Sequence, residues 1–293
     1  MSTLILGCGY LGRRVGRLLA SRGEPVIGTV RSRERVPGLV ASGIEPRIAD
    51  VLEPESLAGL PDTDRVLYCV GLDRSAGLPM RTVYVEGLGN VLERLGGRVG
   101  RWAYASSTGV YGGNDGGWVD EETPARPTHE SGRVCLEAED LLRTSAEARG
   151  LEVVVLRFAG LYGPGRIIRR DSLARGEPIA GDPDKFLNMI HIDDAAAVAV
   201  AALDRGGPGR TYLVGDDRPV PRREFYGLIA AQLGAPAPRF LPPAEGSPGA
   251  RRDESNKRVS NRRMKSELGV ALAYPDVTAG IPAALEEERR ASS

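Results

Sequence analysis

A short apolar run at the start of the chain leads directly into closely spaced glycines and then into a helical pattern. Residues 3–7 read TLILG, and Gly7, Gly9 and Gly12 follow the spacing G-x-G-x-x-G. Apolar residues then recur at helical intervals over residues 11–19. A strand, a glycine turn and an amphipathic helix in this order predict the opening unit of a parallel α/β sheet.

The first half of the chain repeats this alternation of strand and helix patterns. Apolar runs that indicate strands occupy residues 3–7, 25–30, 43–50, 65–70, 101–106 and 151–158. Strands that are apolar on both faces and alternate with helices form parallel sheets covered on both sides. Because the crossovers between such strands are right-handed, we predict a doubly wound α/β fold of the Rossmann type.

The second half has a different pattern. An alanine-rich helix with acidic residues at its start is predicted over residues 193–203, a strand over residues 211–215 and a further helix near residues 221–234. A Pro/Gly-rich stretch over residues 234–252 is predicted to be either a mobile connection or a loop over a pocket.

Charge and cysteine content exclude several classes of protein. Among 293 residues, Lys+Arg and Asp+Glu both number 39, so no net charge favours nucleic acid or an anionic membrane. Cys8, Cys69 and Cys135 are odd in number and scattered, which argues against a disulfide framework or a metal cluster. No apolar stretch approaches the ~20 residues that span a bilayer, and no signal-peptide pattern opens the chain. We therefore expect a cytoplasmic protein without metal.

The glycine turn predicts a bound dinucleotide. In the G-x-G-x-x-G pattern the glycines allow a tight turn, close approach of a pyrophosphate and close helix–sheet packing. The start of the helix supplies unpaired N–H groups for the phosphates. A plain glycine-rich turn is the alternative. We predict that the cofactor contacts the turn residues Gly7, Gly9, Tyr10, Leu11 and Gly12.

The ends of the second and third predicted strands bear on the choice of cofactor. An NAD site usually has an acidic residue about 20 residues past the glycines, but Thr29, Val30 and Arg31 stand there. A guanidinium suits the 2′-phosphate of NADP, so we predict NADP, with NAD and a plain surface role for Arg31 as alternatives. Asp50 and Val51 are predicted to border the adenine, although Asp after a strand also forms turns.

Three further stretches carry a family resemblance: YASSTGVYGG (104–113), VVVLRFAGLYGPGR (153–166) and NMIHIDDAAAVAVAAL (188–203). With the glycine turn, they resemble the extended short-chain dehydrogenase/reductases, the NAD(P)-dependent epimerase/dehydratase family. The late stretch over residues 257–276 is similar to its atypical YeeZ-like branch. The resemblance implies an enzyme that acts with a nicotinamide cofactor on a small polar substrate, such as a sugar.

We predict two domains from this pattern. A dinucleotide-binding domain takes about residues 1–157, rejoined by about residues 189–215. A small substrate-binding domain takes residues 158–188 and 216–293 and closes a cleft over the cofactor. A small molecule is the expected partner, nucleic acid and membrane are not, and a homodimer is compatible with the sequence.

The resemblance also implies a catalytic serine. Ser107 in the serine strand would hydrogen-bond the substrate oxygen at the carbon that exchanges the hydride. Ser106 and Thr108 have the same chemistry, so an offset of one residue is open. The family's asparagine on the preceding helix is not obvious, because Tyr84 stands in its register.

The family's tyrosine–lysine pair is missing. Its motif is Tyr-Gly-x-x-Lys with a glutamate four residues later, and matching Gly132 and Glu139 puts Ser131 at the tyrosine position and Cys135 at the lysine position. Ser131 is far too weak an acid for proton exchange near neutral pH, and a thiol supplies no positive charge. Cys135 is expected to pack inside.

A second register pairs His129 with Arg133, again four residues apart on one helix face. An imidazole with a pKa near ~6.5 beside a cation could then exchange the proton, although the Gly and Glu matches are lost.

Two functions stay open. An intact serine strand favours an NADP-dependent oxidoreductase or epimerase-like enzyme with an altered proton relay. Loss of the pair favours a non-catalytic NADP-binding regulator or redox sensor.

Overall fold

A seven-stranded parallel sheet forms the centre of the protein, whose computed structural model describes residues 1–242 and 255–292. The strands are β1 (Thr3–Leu6), β2 (Val26–Val30), β3 (Glu45–Ile48), β4 (Arg65–Tyr68), β5 (Arg101–Ser107), β6 (Glu152–Phe158) and β7 (Thr211–Val214). All neighbouring strands are parallel, in the order β3-β2-β1-β4-β5-β6-β7. The predicted doubly wound fold and its predicted strands are confirmed.

Helices cover both faces of the sheet. They are α1 (Tyr10–Ser21), α2 (Val36–Val40), α3 (Gly87–Leu95), α4 (Glu130–Arg149), α5 (Arg170–Ala174), α6 (Ile192–Arg205), α7 (Arg222–Gln232), α8 (Arg262–Leu268) and α9 (Val277–Ser292). Helices α1, α6 and α8 pack on one face, and α3 and α4 pack on the other. Because both faces are covered, strands such as β1 are buried along their whole length.

A separate apolar core lies beyond the carboxyl end of β6. Tyr162, Ile167, Leu173 and Phe225 belong to it, together with residues of α9. Within the described residues the chain also forms four two-stranded ladders: 160–162 with 189–191, 186–187 with 220–221, 179–180 with 240–241 and 118–119 with 258–259. The domain boundaries drawn from the sequence stay a prediction.

The Pro/Gly-rich stretch predicted over residues 234–252 is described only in part. Residues 240–241 pair with residues 179–180, while residues 243–252 lie outside the described residues. Within the ranges that the structure describes, none of the helices has the length and apolar character to cross a membrane.

Candidate active site

A cleft of about 710 Å³ opens at the carboxyl ends of the central strands. Its walls come from the loops after β1, β2, β3, β4, β5 and β6. The strand order reverses between β1 and β4, and ligands of doubly wound sheets bind at such a reversal. The fold alone therefore predicts a binding site here.

The three glycines of the first turn differ in their backbone conformation and in the space around them. Gly7 has φ 85°, and a Cβ on it would lie 2.6 Å from the Cα of Val70. A Cβ on Gly12 would lie 2.8 Å from the carbonyl oxygen of Gly7 and 2.9 Å from Cys69 Sγ, so Gly12 permits close packing of α1 on the sheet. Gly9 has 4.0 Å of clearance and faces the cleft.

The start of α1 presents unpaired amides beside this turn. Gly9 is the N-cap residue of α1, and no side chain caps the helix. Tyr10 and Leu11 line the cleft with Gly7 and Gly9. The Tyr10 hydroxyl donates to the carbonyl of Pro164 at 3.1 Å, which ties the glycine turn to the loop after β6. Backbone N–H groups and a helix N-terminus together form a site for phosphates.

Arginines stand on the cleft wall after β2. Arg31 and Arg35 both line the cleft. An Nη of Arg31 donates to Asp73 Oδ2 at 2.7 Å, and both side chains are partly exposed. Hydrogen bonds from Ser75 and then from Arg31 lower the pKa of Asp73. The end of β2 thus presents positive charge to the cleft.

Asp50 and Val51 also line the cleft, after β3. Asp50 Oδ1 accepts the N–H of Leu52 at 2.9 Å, so this carboxylate also shapes the turn. The side-chain amide of Asn90 donates to the carbonyl of Val51 at 2.9 Å. The position of Asp50 is therefore compatible with both interpretations made from the sequence, a border of the adenine site and a turn-forming residue.

The serine strand brings Ser107 to the same cleft. Ser107 Oγ accepts the N–H of Gly109 at 3.0 Å, which leaves the hydroxyl proton for a ligand. Ser106 Oγ instead donates to the buried carboxylate of Glu139 at 2.6 Å. Thr108 is buried. Ser106 and Ser107 both line the cleft, and of the two it is Ser107 whose hydroxyl proton has no acceptor among the described residues.

A buried ionic network lies behind Ser106. Glu139 is 0% exposed and accepts two hydrogen bonds from Arg157, at 3.0 and 2.7 Å. Arg157 also donates to the Tyr111 hydroxyl at 2.6 Å, and Arg143 donates to Glu139 at 2.8 Å. A buried pair persists only when its remaining polar atoms are satisfied, as they are here. The network joins α4 to β5 and β6, and only the family match to Glu139 hinted at it.

His129 and Ser131 lie at the start of α4 and outside the cleft. His129 is the N-cap residue and Ser131 is exposed in the first turn. Arg133 donates to the carbonyl of Thr128 at 3.1 Å. Cys135 is buried, and burial raises the pKa of its thiol to about 11. The position of the family's lysine therefore holds a neutral group.

Tyr84 is a cleft residue that the sequence reasoning left without a role. Its hydroxyl accepts the N–H of Leu72 at 3.2 Å. The residue lies in a π-helical turn, Thr82–Glu86, which runs into α3. Its register with the family's asparagine was the only signal in the sequence.

Comparisons with known proteins agree with this geometry. YeeZ of Escherichia coli strain K12 is 30% identical over 280 residues, which cover 93% of this chain and 96% of YeeZ. A 3-diazoavenalumate denitrifying reductase of a Streptomyces species is 29% identical over 268 residues, 83% of this chain and 85% of that protein. The crystal structure of UDP-glucose 4-epimerase from Thermotoga maritima with UDP-glucose has a TM-score of 0.85 and covers 100% of both chains. Its identity of 20% shows a common fold alone.

The cleft fits a nicotinamide dinucleotide. Gly9 leaves room for a pyrophosphate, α1 offers uncapped amides, and Ser107 lines the same cleft. Residues 3–215 match the family described as NAD dependent epimerase/dehydratase. This match and the likeness to YeeZ confirm the resemblance and the expectation of an enzyme: the chain belongs to the NAD dependent epimerase/dehydratase family.

Proposed function

We propose that the protein is an NADP-dependent reductase that acts on the carbonyl group of a small polar, sugar-like substrate. One observation carries the proposal: the glycine turn, the arginines after β2 and Ser107 line a single cleft of about 710 Å³. The bound cofactor would supply the hydride. The relative from Streptomyces that is named a reductase supports the reaction class, and the epimerase structure with UDP-glucose supports the substrate class.

The charge distribution supports NADP. Arg31 and Arg35 would hold the 2′-phosphate, while the amides at the start of α1 would hold the pyrophosphate. Among residues 1–242 and 255–292, Arg35 forms no ion pair, and Arg31 pairs only with the partly exposed Asp73. A phosphate could replace Asp73 with little loss, since exposed pairs contribute about 0–1 kcal/mol.

Ser107 would orient the substrate. Its Oγ is fixed by the N–H of Gly109, and its free proton can be donated to the carbonyl oxygen of the substrate. That hydrogen bond strengthens as negative charge develops on the oxygen during reduction. Ser131 is exposed outside the cleft and offers no such contact.

The test combines cofactor binding with turnover. NADPH binding is followed by its fluorescence, and its oxidation is assayed against aldoses, ketoses and 4-keto nucleotide sugars. We expect Ser107→Ala to lower turnover by about 10²-fold or more and to leave NADPH binding unchanged. Ser131→Ala and His129→Ala test the two α4 registers, and neither is expected to lower turnover comparably.

A non-catalytic NADP sensor is the second candidate. The exposure of Ser131 and the neutral, buried Cys135 favour it, because the family's proton relay is absent from α4. A protein that binds NADPH tightly and reduces no substrate in the panel would support the sensor and contradict the reductase.

A further inference from the structure

The cleft contains a tyrosine that occupies a suitable place for proton transfer although it is not on α4. Of the two tyrosines that line the cleft in the described part of the chain, Tyr10 and Tyr84, Tyr10 already donates its proton to the carbonyl of Pro164. The Tyr84 hydroxyl accepts the N–H of Leu72 at 3.2 Å, and no described residue accepts its proton. This hydroxyl is thus positioned by one bond and free to donate another.

The backbone around Tyr84 is unusual. Residues Thr82–Glu86 form a π-helical turn where an α-helix would carry the chain directly into α3. Such turns are rare and are found frequently at functional sites. The wider turn changes the direction of its side chains relative to those of the following helix, and Tyr84 is the member of the turn whose polar end reaches the loop after β4.

From these contacts we propose that Tyr84 donates the proton in the proposed reduction, in place of the tyrosine that the family carries at the position of Ser131. The inference rests on the proposed function. Ser107 and Tyr84 line the same cleft. The proposal requires that one carbonyl oxygen accepts a hydrogen bond from each.

Charge around Tyr84 suits a proton donor. Burial raises the pKa of the phenol and keeps it protonated near neutral pH. Arg74 and Arg166 act in the opposite direction and would stabilise the phenolate that remains after proton transfer. Arg166 lines the cleft itself and thereby supplies the positive charge that Cys135 cannot.

In the proposed step, the carbonyl carbon would accept a hydride, with its two electrons, that the bound cofactor supplies. The π electrons of the C=O bond move to oxygen, and the oxygen takes the proton of Tyr84 Oη. The carbonyl becomes an alcohol and the dinucleotide is oxidised. One proton from the solvent, delivered through water that enters the cleft, would restore the phenol, so the whole reduction consumes one proton.

The first experiment needs no turnover. Tyr84→3-fluorotyrosine keeps the hydroxyl and gives it a fluorine resonance that reports its ionisation. The oxidised nicotinamide ring is positively charged and the reduced ring is neutral. A phenol that faces this ring should therefore titrate about one pH unit or more lower with NADP⁺ than with NADPH.

Tyr212→3-fluorotyrosine is the matched control. Its hydroxyl also accepts a backbone N–H, from Gly207 at 3.2 Å, although unlike Tyr84 it donates its own proton to Glu267 Oε2 at 3.0 Å. It lies outside the cleft, so it should titrate alike with both cofactors. Equal titration of the fluorophenol at position 84 with both bound cofactors would overturn the inference alone. If the protein binds neither NADP⁺ nor NADPH, the proposed function is overturned and the inference with it.

The second experiment measures turnover. We expect Tyr84→Phe to lower the rate of carbonyl reduction at saturating NADPH by about 10²-fold or more, since general acids contribute factors of this size. The Kd for NADPH should change less than about threefold, because the phenyl ring remains. Tyr212→Phe should keep full activity. A folded Tyr84→Phe protein with the turnover of the unmodified enzyme would contradict the role.

Discussion

At the scale of single residues, the proposed preference for NADP depends on Arg31, the first residue after β2. Arg31 is held at 2.7 Å by Asp73, and both are partly exposed. Because solvent screens such a pair, Arg31 can exchange the carboxylate for a phosphate of higher charge. In the proposed site NADH would offer only a hydroxyl to Arg31, so it would gain less from the exchange.

The corresponding prediction concerns cofactor affinity. Arg31→Glu should weaken NADPH binding about tenfold or more, because a charge-assisted hydrogen bond of roughly 1.5–3 kcal/mol is replaced by repulsion. NADH binding should change much less. Arg33→Glu changes the charge of the same loop equally but lies outside the cleft wall, so it is the control. Calorimetric titration that gives equal Kd values for both cofactors in the unmodified protein would contradict the prediction.

The roles of single residues were predictable from the sequence where the backbone accommodates only one residue type. The roles of Gly7 and Gly12 followed from spacing alone, because a Cβ at either position would meet backbone or buried side chains. Cys135 was expected inside and is buried. Tyr84 was not recognised as a cleft residue, because its contact with Leu72 joins two separate loops and depends on a π-helical turn that no periodicity indicates.

At the scale of elements, α4 and the serine loop are held in contact by a single glycine. A Cβ on Gly132 would overlap the carbonyl oxygen of Gly109 and lie 2.8 Å from the Cβ of Pro127. Gly109 in turn donates its N–H to Ser107 Oγ. The distance between α4 and the loop therefore affects the orientation of Ser107.

This contact predicts unequal effects for two glycine substitutions in helices. Gly132→Ala should lower the free energy of unfolding by about 1–3 kcal/mol, since it overpacks the contact with the serine loop, and should lower turnover as well. Gly89→Ala, in α3, meets only Leu141 Cδ2 at 3.9 Å and should be neutral or stabilising by up to about 1 kcal/mol. The free energies of unfolding are measured by urea denaturation. Equal changes in the two variants would contradict the packing argument.

The main elements were predictable because their patterns are long. Parallel strands buried on both faces give apolar runs, and all seven were assigned near their observed bounds. The two-residue ladders, such as 118–119 with 258–259, were missed because two residues carry no periodicity. Their pairing depends on contacts between distant parts of the chain.

At the scale of the whole molecule, the C-terminal part returns to the serine loop. The side chain of Asn188 donates to the carbonyl of Lys257 at 2.9 Å and accepts the N–H of Val259 at 2.7 Å. Lys257 is buried, and its Nζ donates to the carbonyl of Tyr111 at 2.9 Å. These contacts link residues after β7 to the loop that follows Ser107. The sequence could suggest a cleft between two parts, but not this link.

Asp216 lies just after β7, where the chain leaves the sheet for the last time. It is 3% exposed, and within the described ranges its Oδ2 has no hydrogen-bond partner. Burial raises its pKa from 3.8 to about 8, with further increases from Asp276 and Asp217, while the N–H of Arg218 opposes the shift. The folded protein therefore holds a proton here that the unfolded chain releases.

A pH-dependent stability follows with a definite sign. Because the folded pKa lies above the unfolded one, the stabilisation by the protonated carboxyl is complete below about pH 4 and is lost as pH rises to about 8. Asp216→Asn mimics the neutral acid, so near the acidic end its free energy of unfolding should equal that of the unmodified protein. Near the basic end, the variant should be more stable than the unmodified protein by on the order of a few kcal/mol. Asp217→Asn, one residue along, should narrow this window only slightly, because burial and not the Asp217 charge is the largest cause of the raised pKa of Asp216. Urea denaturation across the window decides the matter, since parallel curves for the Asp216→Asn variant and the unmodified protein would mean that Asp216 is ionised in the fold.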